Sequence, residues 1–190
     1  LHLGYLYLFH SSRTKGVRAD GVRLEGTVDT ALMSSRDTIH WTRVDRKRRF
    51  LPLGPAGSWE AGMNYVSPEV IVGRRMFFYY SGWRSTHGVA NNVAGIGLAT
   101  LPLDRIVSIR PVQSRGTLTT RVLKLDGERL DVNVDADDGR LNVEVLDVAG
   151  RVLPGFNANA CRSISGDSHH RRVKWDKQKL HQLAGRRVRL

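Results

Sequence analysis

The residues best suited to chemistry lie together at Trp59 and Glu60, inside the stretch GSWEAGMNYVSPEVIVG (57 to 73). An indole stacks on the face of a sugar ring, and a carboxyl group shielded from water by that ring can hand a proton to a leaving oxygen. Hydrolysis of a glycosidic bond needs a second carboxylate roughly 5 to 10 Å away, and Asp29 in GTVDTALMSSRD is the nearest candidate in the pattern. Asn64 and Tyr65 follow Glu60 closely enough to join it in holding a ligand. A competing role for Glu60 is structural, accepting backbone N–H bonds in its glycine-rich turn. Asp37 and Asp104 each sit where a strand turns, which favours a turn-building role. Trp41 in TIHWTRV reads as a packing residue.

A second group lies in SGWRSTHGVANN (81 to 92), a long polar connection carrying Trp83, Arg84, His87, Asn91 and Asn92. Long connections between strands commonly form the rim of a binding site, so Trp83 and His87 join the substrate-binding candidates. Its counterpart is the connection from His10 to Gly26. No spacing of Cys and His resembles a zinc site, and there is neither a phosphate-binding glycine loop nor a nucleophile elbow. We therefore expect neither metal nor cofactor. His169 and His170 are adjacent, so in a strand they point apart. The single cysteine, Cys161, has no partner for an internal disulfide and suits a small core position.

The elements that would position these groups are strands. YLYLF (5 to 9), VDTALMS (28 to 34), EVIVG (69 to 73), RMFFYYS (75 to 81) and GIGLATL (95 to 101) alternate or run apolar between turn residues. Only DKQKLHQLAG (176 to 185) reads as a short helical turn. The segments repeat: LYLFHSS (6 to 12) matches MFFYYSG (76 to 82), and TALMSSRD (30 to 37) matches IGLATLPLD (96 to 104), with Leu32 opposite Leu98 and Asp37 opposite Asp104. A repeat of this size, each copy a small antiparallel sheet, is how a propeller blade reads. After Pro111 the pattern changes. ERLDVNVDADDGRLNVEVLDVAGRVLPGF (128 to 156) reads as a hairpin turning at Asp138-Gly139, with Val132, Val134, Leu141, Val143 and Val145 on one side and a second turn at Ala149-Gly150. The expectation is an all-β chain: about two four-stranded blades of a partial propeller over residues 1–112, then a β-sandwich over 113–190. Two blades do not close a ring, and the chain opens on Leu and ends in GRRVRL, so we expect it to be a piece of a longer protein.

Composition narrows the partners. Hydrophobic residues make up 41% and charged residues 25%, ordinary globular values that argue against a disordered chain. No apolar run approaches the roughly 20 residues of a membrane helix, so no membrane partner is expected. The formal charge of +12 raises nucleic acid or another polyanion. However, 24 of the 30 basic residues are Arg spread along the chain, and the clusters RKRR, HHRR and GRRVR have no interleaved aromatics for base stacking. No nucleic-acid partner is expected.

The blade segment VDTALMSSRDTIHWTRV, then FLPLGPAGSWEAGMNYVSPEVIVGRRMFFYYSG and GIGLATLPLDRIVSI, resembles the five-bladed propeller glycosidases of glycoside hydrolase families 32, 43 and 68. LDVNVDADDGRLNVEVLD resembles the β-sandwich that family 32-like proteins append. The resemblance implies a five-bladed ring, a carbohydrate substrate and three acids on successive inner strands: a nucleophile or base, a transition-state stabiliser and a glutamic acid donor. SWEAGMNY is similar to the acid's motif, with Glu60 in its place. In that family the glutamate belongs to the middle blade, whereas Glu60 falls in the last blade before the sandwich. The rival expectation is a non-catalytic module that binds carbohydrate or a polyanion.

Overall fold

A computed structural model describes residues 1–11 and 25–190. Among the described residues every regular element is a strand except one 3-10 turn, Leu180–Leu183, so the chain is all-β. It divides into two compact units, Leu1–Ile106 and Val107–Leu190.

The first unit holds seven strands: β1 (His2–Ser11), β2 (Gly26–Ser35), β3 (Trp41–Arg43), β4 (Met63–Val66), β5 (Val70–Val72), β6 (Arg75–Trp83) and β7 (Ala94–Pro102). Tyr, Phe, Val, Leu and Thr dominate them, side chains that pack well on a pleated surface. β1 and β2 pair antiparallel along their whole length, from His2–Ser35 to Ser11–Gly26. The turn after β2 is built by two side chains. Ser35 Oγ accepts the Thr38 N–H at 2.9 Å, and the Asp37 carboxylate accepts those of Ile39 and His40 at 3.0 and 2.8 Å. Thr38 takes up the left-handed φ of 65° that closes the turn, and β3 returns along β2.

The chain then stays on that edge of β2. The Phe50 N–H bonds to Thr30 O at 2.9 Å, Leu51 bridges Thr30, and β4 meets β2 in parallel at Val28–Met63. β4 and β5 form one interrupted partner of β6. Val66 faces Tyr80 while Val70 faces Phe77, so four steps on one side match three on the other. The extra residue makes a bulge at Ser67–Glu69, where Pro68 has no N–H to give a ladder. β7 completes the set against β6. The two repeated segments therefore form three-stranded meanders, β1-β2-β3 and β4/β5-β6-β7, where four strands per copy were expected. The Val28–Met63 pair merges them into one sheet that curls like half a barrel.

Val66, Met76 and Phe78 form the buried centre of this unit, with Tyr5, Phe50 and Leu51 packed on it. The Tyr5, Phe50 and Phe78 rings meet edge-on or tilted at 5.1 to 6.1 Å between centroids. Burying a side chain like Phe78 is worth about 2 to 3 kcal/mol.

The second unit contains β8 (Leu123–Lys124), β9 (Asp131–Leu141), β10 (Ile164–Arg172) and β11 (Arg187–Val188), paired as β9–β10 and β8–β11. One core holds it: Leu125, Val145, Phe156, Cys161, Ile164, Val173, Trp175, Leu180, Leu183 and Val188. Val132, Val134, Leu141 and Val143 pack against that core, so their alternation is real. The hairpin drawn through them is not. β9 continues through Asp138-Gly139 without reversing and pairs with β10 instead. A two-residue type I′ turn needs positive φ at both central residues, and Gly139 is not among the residues with positive φ. The left-handed glycine of this ladder is Gly166, φ 81°, on the partner strand. Residues 137–140 bow out between the pairs Ala136–Gly166 and Leu141–Ile164. The second turn does form. Gly150 has φ 87°, and Asp147 Oδ1 accepts the Ala149 and Arg151 N–H groups at 2.9 Å.

Candidate functional site

Trp59 and Glu60 lie in a turn-rich segment ahead of β4, and what they pack on is the β6–β7 hairpin. The Trp59 ring lies nearly parallel to that of Tyr80, 17° between planes and 5.8 Å between centroids. Beneath the two rings the strands carry glycine. A Cβ at Gly82 or Gly95 would come within 2.7 or 2.9 Å of the Trp59 ring, and one at Gly97 within 2.2 Å of Tyr80. Any larger residue would lift the rings off the sheet. Glu60 accepts a hydrogen bond from the Tyr80 phenol. Burial, then that bond, pushes the Tyr80 pKa up to about 12. One face of the Trp59 indole is thus spent on packing.

Asp29 projects from the middle of β2 and is 6% exposed. Its Oδ2 receives Arg49 Nε at 2.5 Å and lies 2.9 Å from His10 Nε2, and His10 Nε2 is 3.3 Å from Arg49 Nη2. Its Oδ1 is buried and, among the described residues, has no hydrogen-bond partner. Neither Arg49 nor His10 stood out in the sequence. Arg49 sits in the RKRR cluster, and only the return of residues 49–51 along the edge of β2 brings it to Asp29. The structure gives Glu60 and Asp29 separate surroundings: no hydrogen bond or ion pair joins them, and Tyr80 serves one while Arg49 and His10 serve the other.

Asn64, 1% exposed, is committed to the fold. Its Oδ1 accepts the Thr30 hydroxyl at 3.0 Å and its Nδ2 donates to Leu51 O and Pro52 O at 3.1 and 3.2 Å, tying β2, β4 and the segment between them. Tyr65 stands edge-on to Trp83 at 5.2 Å and to Tyr7 at 5.0 Å. Burial, then Tyr7, raises its pKa. His87 is exposed, with its ring edge-on to Phe9 at 5.6 Å and its N–H bonded to Gly26 O at 3.0 Å. Tyr7, 46% exposed, and Phe9, 40%, add to this aromatic strip. The strip of Tyr7, Phe9, Tyr65, Trp83 and His87 crosses from β1 to the 84–93 connection. Because neighbouring residues of a strand point to opposite faces, Phe9 belongs to the strip and His10 to the Asp29 cluster.

Asn92 shapes that connection, accepting Ser85 N–H at 2.8 Å and donating to Ser85 O at 2.9 Å, and Asn91 is left-handed at φ 53°. Of the opposing connection, residues 12–24 lie outside the described part. Trp41 packs on Gly4, where a Cβ would stand 2.8 Å from its ring, and donates its indole N–H to Thr38 O at 2.9 Å. Asp37 is held well below the usual carboxylate range by its bonds to the His40 ring and to backbone N–H groups. Among the described residues no three of His, Cys, Asp and Glu gather as they would around a metal. No known protein family, no curated protein and no solved structure matches the chain.

Proposed function

We propose that the chain is part of a glycoside hydrolase-like β-propeller protein that acts on carbohydrate, with the β1-β2-β3 and β4/β5-β6-β7 meanders as two of its blades and the second unit as its β-sandwich. The observation that carries this reading is two differently dressed carboxyl groups in one curled sheet, Glu60 taking a phenol hydrogen bond and Asp29 an arginine. Glu60, which takes the hydrogen bond of the Tyr80 phenol, is the candidate proton donor. Asp29, ion-paired with Arg49, is the candidate that presents negative charge to an oxocarbenium-like transition state. Tyr65, Trp83 and His87, with Tyr7 and Phe9, offer ring faces and edges to a sugar on the face of β1 opposite the Asp29 cluster, as a surface for holding the substrate apart from the acids. No cofactor enters the proposal.

The test is hydrolysis of a panel of oligosaccharides and aryl glycosides by the protein and by Glu60→Gln and Asp29→Asn. Loss of roughly 10²- to 10⁴-fold in kcat with folding intact supports the assignment. Activity that survives both changes overturns it.

One feature favours the binding alternative. A cleft of about 390 Å³ in the second unit is lined by Lys174, Lys177 and Lys179, by Arg129, Arg162 and Arg172, which are paired with Asp131 and Asp176, and by Glu128. Half of the six lysines in this Arg-dominated chain thus stand on one cleft. A polyanion bound there, such as a sulfated glycan, would be lost steeply as salt rises, and salt-insensitive binding would exclude it.

A further inference from the structure

β7 is an edge strand: among the described residues it pairs with β6 and with nothing else. The register shows which of its backbone groups are spare. At the two ends of the β6–β7 hairpin, the Arg84 N–H bonds to Val93 O and the Leu103 N–H to Arg74 O, both at 2.9 Å, and the pairing between them is unbroken. Hydrogen-bonded pairs alternate with non-bonded ones along an antiparallel ladder. Counting in twos from either end, Gly95, Gly97, Ala99 and Leu101 turn their N–H and C=O groups toward β6. Ala94, Ile96, Leu98 and Thr100 turn theirs outward.

Natural edge strands are normally blunted by charge, proline or a bulge. The stretch AGIGLATL (94 to 101) carries none of these, and proline comes only at its end, Pro102. Two of its outward-register side chains are also uncovered, Ile96 at 82% and Leu98 at 49%, beside Tyr79 at 49%, while Thr100 is half-buried and accepts Arg75 Nη2 at 2.7 Å. A free, uncharged strand of nine residues flanked by exposed apolar side chains is a template for another strand.

We propose that this edge pairs with β7 of a second copy of the chain, antiparallel, about a twofold axis at Leu98. The sequence is self-complementary in that register. Leu98 faces Leu98 of the second copy, and Ile96 faces Thr100 on either side, all three pairs falling on outward-pointing residues so that each exchanges two hydrogen bonds. Pro102, which has no N–H, falls opposite Ala94 at the margin. Ile96 and Leu98 of the two copies then share one face, covering apolar surface that each copy leaves in water. A shift of one residue in register would set outward groups against side chains whose own backbone faces β6. The contact is isologous and closes at two copies.

Sedimentation velocity across a concentration series tests it. The expected species has twice the 21.3 kDa of one chain. Leu98→Pro removes one outward N–H and leaves the β6 ladder untouched, and by symmetry both central bonds go. Association should weaken by roughly 100-fold or more, with the circular dichroism spectrum unchanged. Leu98→Cys provides a second route that does not depend on tolerance of proline. A short bismaleimide should join two copies of it, while the wild type, whose cysteine is buried, stays single. A wild type that remains monomeric at every concentration overturns the proposal. So does a folded Leu98→Pro protein that associates as before, or a Leu98→Cys protein that does not cross-link.

Discussion

Replacing Arg49 with Met should cost the first unit more than replacing the aspartate it serves. The Asp29 side chain is 8% exposed and that of Arg49 30%. Stripping the partner from a fully buried carboxylate costs about 3 to 5 kcal/mol, since the charge stays in place without compensation. Water reaches part of Arg49, and His10 remains 2.9 Å from Oδ2, so the expected loss is about 2 to 3 kcal/mol. Asp29→Asn keeps the shape, removes the buried charge and leaves an arginine able to turn toward solvent, at a cost of about 1 kcal/mol. The double variant should lie close to Asp29→Asn alone, because Arg49 has little left to satisfy. Urea unfolding in a Trp175→Phe background gives a clean reading, since the remaining indoles, Trp41, Trp59 and Trp83, all lie in the first unit. If Arg49→Met costs under about 0.5 kcal/mol, or if Asp29→Asn costs more than Arg49→Met, the ion pair is not what holds this part of β2.

Gly97→Ala should destabilise by about 1 to 3 kcal/mol in the same assay, and Tyr80→Ala should relieve most of that clash. Stability should decline as pH rises above about 10, the ordinary phenol value, because the raised pKa values of Tyr5, Tyr65 and Tyr80 mean the unfolded chain loses those protons first. Tyrosinate absorbance against pH, native and in urea, checks the sign, and coincident curves would refute it. Asp37 should keep its charge at pH values where an ordinary aspartate is protonated, read from the carboxyl carbon shift by NMR, with its turn contacts loosening only as the acid range deepens. Cys161 should resist a thiol reagent until the second unit opens, so prompt labelling under native conditions would contradict its burial in that core.

Strand positions were legible because alternation reports burial directly: Met76 and Phe78 go in and Tyr79 out, as their spacing requires. The Asp37 turn was legible because Ser and Asp side chains reach their own backbone. Asp138-Gly139 misled because the pair suits a hairpin only if its partner strand comes next, and the strand that completes β9 arrives twenty-odd residues later as β10. That choice belongs to the whole core around Trp175 and Val145. The Asp29 cluster was half visible. Its acid stood in a strand pattern, but Arg49 was one of many arginines and gained its partner only through the bridge of Leu51 to Thr30. Tyr7 and Phe9 read as strand filling, and nothing local announces that a packed strand also offers half of each ring to solvent.

The glycines under Trp59 and Tyr80 carry a consequence for how this sequence can drift. Every missense change in a glycine codon adds at least a Cβ, so at Gly82, Gly95 and Gly97 each one-step neighbour strikes an aromatic ring. Gly139, with open space around it, should accept alanine freely. In a saturation library the first three positions should be nearly empty columns and the last a full one. The order of events also becomes fixed. Tyr80 must shrink before Gly97 can grow, so ring and glycine pass between generations as a linked pair, and a lineage that has lost the ring can fill the floor and close its own way back.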